Sequence, residues 1–107
     1  MTKKPETVKE EDLIKRKDGL YYKKYTKIPF TGTSEQFHTN GQLNIRENYK
    51  NGQLRIRQNY KTRKRDGLWE YFDEEGNLIK SENWNKGRLW GTDYWKNGKL
   101  VDSEIPF

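Results

Sequence analysis

One short motif returns down this chain at near-fixed spacing: a glycine, any residue, then a leucine. Asn40-Gly41-Gln42-Leu43 is followed by Asn51-Gly52-Gln53-Leu54, Gly76-Asn77-Leu78, Gly87-Arg88-Leu89 and Asn97-Gly98-Lys99-Leu100. The step is 11 residues from Gly41 to Gly52, from Gly76 to Gly87 and from Gly87 to Gly98. An aromatic stands eight residues after each of the first four glycines, at Tyr49, Tyr60, Trp84 and Trp95. Glycine, leucine and ring in step at four registers mark an internal repeat. Repeats stack one supersecondary unit on the next, which builds a surface for contact more readily than a pocket for chemistry.

The period inside each unit says what it folds into. Leu43, Ile45, Glu47 and Tyr49 alternate with Asn44, Arg46, Asn48 and Lys50; Leu54, Ile56, Gln58 and Tyr60 alternate with Arg55, Arg57, Asn59 and Lys61. Period two with β-branched and aromatic residues, bounded by Asn-Gly, predicts strands joined by hairpins. Glycine and asparagine accept the positive φ of tight hairpin turns, so the turns fall at the glycines. A unit of 11 residues then holds roughly seven strand residues, about 23 Å at ~3.3 Å each, plus a short turn. The expected fold is all-β: an elongated antiparallel β-meander of repeated hairpins, with long and short turns alternating and two strands per full repeat. Its rings and leucines should form a ladder along one sheet face.

Between Gly52 and Gly76 the register is interrupted by Lys61-Thr62-Arg63-Lys64-Arg65, after which Asp66-Gly67-Leu68-Trp69-Glu70-Tyr71-Phe72 supplies another strand. Asp18-Gly19-Leu20 opens an earlier segment in the same way. No linker interrupts residues 13–107, so one hairpin-repeat domain is expected there. Residues 1–12 lack apolar periodicity and read as a flexible N-terminal segment, mobile or briefly helical. Only 30% of residues are hydrophobic and 36% are charged, but 14% are aromatic, and disordered chains are poor in rings. Each buried ring removes ~150–250 Å² from water, so a few can hold a thin sheet together.

Charge is unevenly placed. Residues 1–66 carry a net +9 and residues 67–107 a net −3, within a total of +6. Strand alternation puts Arg46, Lys50, Arg55, Arg57 and Lys61 on the face opposite the Leu/Ile/Tyr set, with Arg63, Lys64 and Arg65 following. Strands about 4.8 Å apart would gather these side chains into one positive face. Such a face steers acidic partners and polyanions, or serves only as a solvated surface.

Pro29-Phe30-Thr31-Gly32, the strand ending in Asn40-Gly41-Gln42-Leu43, and Tyr49-Lys50-Asn51-Gly52 resemble the variant MORN repeat, closest to its bacterial branch of YwqK-type antitoxins. Gly67-Leu68-Trp69-Glu70-Tyr71-Phe72, Glu75-Gly76-Asn77-Leu78, Trp84-Asn85-Lys86-Gly87 and Asn97-Gly98-Lys99-Leu100 continue the pattern, so the resemblance covers residues 17–103. It implies stacked β-hairpin repeats and, in some members, an immunity partner for a secreted toxin. The basic stretch Lys61 to Arg65 departs from the pattern, which would place a short glycine turn there.

Enzyme chemistry finds little to use. The chain has no cysteine and one histidine, His38, so thiol catalysis and thiolate metal sites are excluded. No nucleophile elbow, phosphate loop or dinucleotide fingerprint occurs, and no cofactor is expected. Glu47, Gln58, Glu82 and Asp93 sit six residues after their glycines, on the nominally apolar face, where a carboxylate needs a hydrogen-bonding or cross-strand partner. The reading is a non-enzymatic protein-binding module, an immunity or antitoxin protein that occludes a toxin domain. Its partner-binding residues would be Arg46, Arg55, Arg57, Lys61, Arg63, Lys64 and Arg65, with Trp69, Trp90 and Tyr94 as ring anchors. The alternative is a nucleic-acid- or polyanion-binding module using the basic face. Self-association through sheet edges would make a homodimer. No apolar stretch suits a membrane span or a leader after Lys3-Lys4, so the expected location is cytoplasmic.

Overall fold

The computed structural model describes residues 6–106, with 64% strand and 3% helix. In chain order the strands are β1 (Glu6–Lys9), β2 (Leu13–Lys15), β3 (Tyr21–Lys23), β4 (Gly32–Phe37), β5 (Leu43–Lys50), β6 (Gln53–Lys61), β7 (Lys64–Arg65), β8 (Gly67–Phe72), β9 (Leu78–Asn85), β10 (Arg88–Lys96) and β11 (Lys99–Glu104). Among the described residues nine strands form one sheet, ordered β1-β4-β5-β6-β8-β9-β10-β11, with β7 paired to the outer part of β6. From β4 onward it is the antiparallel meander that the alternation predicts. Strands β2 and β3 form a separate two-stranded sheet.

Residues 1–5 of the segment expected to be flexible lie outside the described residues. Glu10–Asp12 form a brief 3-10 turn, but Glu6–Lys9 form β1, which runs parallel to β4 and pairs Glu6 with Gly32. No alternation announces β1, because its pairing uses backbone groups. Gly32 makes room for it: a Cβ there would stand 2.3 Å from the Glu6 carbonyl oxygen.

Turns are of two kinds, and they follow the order long, short, short in each unit rather than the expected alternation. Asn51-Gly52, Lys86-Gly87 and Asn97-Gly98 are two-residue turns with both residues at positive φ, the backbone twist that matches a hairpin. Thr62-Arg63 is a fourth, without glycine or asparagine, at φ 51 and 64. The longer turns at Gly41 and Gly76 close through His38 N–H to the Gln42 carbonyl at 2.7 Å and Asp73 N–H to the Asn77 carbonyl at 2.9 Å.

The true repeat is three strands rather than two. Gly52 N–H donates to the Phe30 carbonyl at 2.8 Å, and 35 residues later Gly87 N–H donates to the Arg65 carbonyl at 2.8 Å. Asn51 N–H donates to Thr31 Oγ1 at 2.8 Å, and Lys86 N–H to Asp66 Oδ1 at 3.1 Å. The Asn51-Gly52 and Lys86-Gly87 turns thus fold back onto the entries of their own units, so β4–β6 are repeated by β8–β10.

A β-bulge decides which side chains share a face. In every hairpin of the main meander the residue after the repeat leucine is skipped by the ladder: Asn44, Arg55, Ile79, Trp90 and Val101. Without the bulge at Arg55, continuing from Lys50 opposite Gln53 would set Arg46 against Arg57. The extra residue instead sets Arg46 against Gln58 and Glu47 against Arg57. A one-residue slip moves a whole strand's side chains to the other face. The expected single-face ladder of rings is therefore split. Tyr49 lies on the face of Ser34 and Glu47, under Tyr21 at 5.0 Å and Phe30 at 5.8 Å between ring centroids. Tyr60, Trp69 and Trp84 lie on the opposite face, with Tyr60–Trp69 at 5.3 Å and Trp69–Trp84 at 5.8 Å. Trp95 returns to the first face and donates its indole N–H to Ser81 Oγ at 3.0 Å.

Two small cores result. One contains Tyr22, Phe30 and Tyr49, and the other is centred on Trp69, which is 2% exposed. In the second unit Arg65 takes the place that Phe30 holds in the first, its guanidinium 4.6 Å from the Trp69 ring and 4.7 Å from Trp84.

Gly52 and Gly98 both need positive φ, but only Gly52 is packed, its Cβ position lying 2.9 Å from Leu20 Cβ and 3.0 Å from Pro29 Cβ. Gly98→Ala should cost about 1–2 kcal/mol through backbone strain alone. Gly52→Ala should cost at least ~1 kcal/mol more, because fixed neighbours must shift. Urea unfolding of both variants measures the difference, and equal losses would remove the close-approach account.

Candidate binding surfaces

The pairing that splits the rings also splits the arginines expected to share one face. Arg46 projects on the face of Glu35 and Gln58, where its guanidinium donates to Glu35 Oε2 at 2.7 Å and lies 5.9 Å from the Tyr60 ring. Arg57 is on the other face, opposite Glu47, with Nε 3.9 Å from that carboxylate. Arg55 is the bulged residue, and its Nε donates to the Phe72 carbonyl at 3.1 Å. The continuous positive face is thus corrected: Arg46 and Arg57 point to opposite sides and are neutralised by Glu35 and Glu47. An 11-residue step plus one bulge puts equivalent residues of successive strands on alternate faces.

Five cations free of ion pairs among the described residues stand instead on two adjacent tips at one end of the sheet. The turn between β6 and β7 carries Lys61, Arg63 and Lys64, and the β9–β10 turn beside it carries Lys86 and Arg88, all exposed. Gly87 N–H bonds the Arg65 carbonyl and Lys86 N–H bonds Asp66, so the two tips are tied together. Between them a recess of about 360 Å³ is lined by Lys61, Thr62, Lys64, Asp66, Asn85 and Lys86. Among the described residues the ion pairs are Lys23–Glu6, Arg46–Glu35 and Arg57–Glu47, and none involves this end. Arg65 is held by its two tryptophan rings.

The ring anchors separate too. Trp69 is buried and donates its indole N–H to the Asn59 carbonyl at 2.8 Å, so it belongs to the core. Trp90 is 58% exposed, and Tyr94 is half-buried on β10. Sequence reasoning missed three further exposed apolar side chains, Ile79, Leu100 and Val101, which are 44%, 54% and 59% exposed and lie at the Tyr94–Trp95 end of β10 rather than beside Trp90. The available signal was the residue after each repeat leucine, since Ile79, Trp90 and Val101 all hold the bulge position. A bulge re-aims a side chain out of strict alternation. Strand β11 is exposed along its whole length and pairs only with β10.

The register acids find ring partners two residues on. Glu47 accepts from the Tyr49 hydroxyl at 3.4 Å, Gln58 from Tyr60 at 3.5 Å, and Glu82 from the Trp84 indole at 3.3 Å. Glu82 also accepts from Tyr71 at 2.7 Å, and Asp93 from the Ser103 hydroxyl at 2.7 Å. Burial and this Glu82 carboxylate push the Tyr71 hydroxyl up to about 12. Burial also raises the Glu47 carboxyl and nearby Glu10 adds to the rise, while Arg57 and the Tyr49 hydroxyl oppose it. Among the described residues no three acidic or imidazole groups converge to hold a metal ion, and no helix is long and apolar enough to cross a membrane.

Glu47 therefore binds its proton more tightly folded than unfolded. That favours the folded state at low pH and is lost as pH rises from the unfolded carboxylate range through the raised folded value. Glu47→Gln should lack this loss, so its stability should improve relative to the parent between pH 4 and pH 7. Urea midpoints at both values check it; a variant that weakens relative to the parent over that rise would overturn burial as the dominant cause.

The family model for the MORN repeat variant matches residues 30–51, 46–62 and 65–86, together just over half of the chain. The first and third matches start 35 residues apart, the spacing of the two structural units described above. No curated protein and no solved structure is significantly similar to the chain.

Proposed function

Because the chain belongs to the MORN repeat variant family, whose repeats are commonly binding modules, we propose that it is a non-enzymatic module that binds a protein partner. The finer role is that of an immunity or antitoxin protein, acting in the cytoplasm by covering a toxin domain. Exposure of Trp90 is the observation that carries this reading. A tryptophan 58% exposed on β10, next to the outermost strand β11, loses its apolar contact with water only when a partner covers it. Trp, Tyr and Arg dominate the energies of protein interfaces, and Tyr94 lies on the same strand. The exposed edge of β11 adds backbone donors and acceptors that a partner strand can pair. Trp69 is left out of this surface, as are Arg46 and Arg57, because the fold already uses them.

Co-expression with the product of each neighbouring reading frame tests the role. One such product should arrest growth alone and be neutralised by this chain through a stoichiometric complex. Trp90→Ala should weaken that complex about 30-fold, the ~2 kcal/mol of an interface hot spot, with thermal stability unchanged. A partner bound equally well by the variant would remove Trp90 as its anchor. Neighbours that are all harmless would remove the antitoxin role while leaving protein binding intact.

A further inference from the structure

We propose that the basic end of the sheet, formed by the β6–β7 and β9–β10 turns, is a second binding site, and that it takes the phosphate backbone of nucleic acid without regard to sequence. The site lies at the end of β10 that also carries Trp90, away from the exposed Leu100 and Val101 of β11, and it does not depend on the protein-binding reading.

Three observations converge on it. Lys61, Arg63, Lys64, Lys86 and Arg88 stand on two adjacent tips, and among the described residues none has a carboxylate within ion-pair distance. Like charges so close repel one another, and an anion between them relieves that repulsion. The tips are fixed by the Gly87–Arg65 and Lys86–Asp66 hydrogen bonds, and the Lys64 methylenes lie 3.5 Å from where a Cβ on Gly87 would stand. The cations are therefore presented on a preformed frame. Second, Thr62-Arg63 holds a β-branched residue and an arginine at φ 51 and 64, while the other two-residue turns of the sheet use glycine. Strain kept where glycine would relieve it accompanies function more often than simple connection. Here it keeps cationic and hydroxyl side chains at the tip.

The third observation is the chemistry of the recess. Lysines, the Thr62 hydroxyl and the Asn85 amide line it. Lysine binds phosphate as a point charge, without the bidentate fork that arginine offers to carboxylate and phosphate alike. The adjacent arginine, Arg65, is stacked on Trp69 and Trp84. The one acid in the lining, Asp66, already accepts the Lys86 N–H. The acidic turn Glu10–Asp12 follows β1, at the opposite edge of the sheet, three strands from β6. A recess is reached by a projecting phosphate chain more readily than by a flat layer of lipid headgroups. With Trp69 buried and the half-buried Trp84 covered by Arg65, neither ring beneath the recess is free to stack on a base, and the lining itself offers contacts to phosphates.

Fluorescence anisotropy with a labelled mixed-sequence duplex of about 20 base pairs tests it across a range of salt. Log affinity should fall linearly with log salt, and the triple variant Lys61→Gln, Lys64→Gln, Lys86→Gln should reduce the slope by about 2 to 3. At 50 mM salt it should bind at least tenfold more weakly. The triple variant Lys50→Gln, Lys96→Gln, Lys99→Gln removes the same net charge from the opposite end and should bind within about twofold of the parent. Replacing Lys61, Lys64 and Lys86 by arginine should retain binding, which separates lost charge from lost structure. Equal losses from the two glutamine triples would overturn the site, since net charge alone would then explain binding. Polyglutamate competing as well as duplex of equal charge would overturn the preference for phosphate. Tighter, Lys61-dependent binding to phosphatidylserine vesicles would overturn nucleic acid in favour of a membrane.

Discussion

In each hairpin of the meander the residue after the repeat leucine has no partner across the ladder, and the arrangement of the rest follows from that gap. The gap converts an even pairing into an odd one, so side chains related by 11 residues emerge on alternate faces. Rings that share one register in sequence are thereby divided into two packed groups, one under Tyr21 and Phe30 and one under Arg65. Neither group is large. The chain gains from having both, because each strand between them is covered on a different side along its length, and no face carries all the apolar surface.

The same slip governs the electrostatics. Arginines that alternation alone would align meet glutamates instead, and with each arginine open to water such a pair contributes modestly, about 0–1 kcal/mol. Their larger effect is to cancel charge on both faces. Cations left uncancelled stand at strand ends, where the cross-strand partner is lysine, asparagine or glutamine rather than an acid. Lys61, Arg63, Lys64, Lys86 and Arg88 stand together at one end of the strands and Lys50, Lys96 and Lys99 at the other, and the apolar side chains exposed by the bulges lie on β9, β10 and β11. All of this is contained in a small molecule measuring 46 × 37 × 30 Å.

Much of the fold was legible because hairpins are local. Asn51-Gly52 and Asn97-Gly98 specify turns through backbone preference, and alternating segments such as Leu43 to Lys50 specify strands through side-chain period. Strand β1 was not legible, since parallel pairing with β4 draws on a segment with no pattern of its own. The bulges were not legible either: nothing in Asn44, Arg55, Ile79, Trp90 or Val101 as residue types marks a skipped position. Of the residues singled out for binding, Trp90, Lys61, Arg63 and Lys64 are exposed and unpaired among the described residues. Trp69 was misjudged, because an indole in repeat register looks the same in sequence whether it is covered or bare.

Sequence by itself determined the repeat, the antiparallel meander, the positions of the glycine turns and the basic character of the Lys61 to Arg65 segment. All of these rest on interactions between residues close along the chain. Only the tertiary structure decided which face each ring and each arginine occupies, that Arg65 would stand in for Phe30, and that Lys86 and Arg88 would join Lys61 and Lys64 at one end. Those outcomes depend on the register between strands. A single unpaired residue changes that register while leaving the pattern of the sequence untouched.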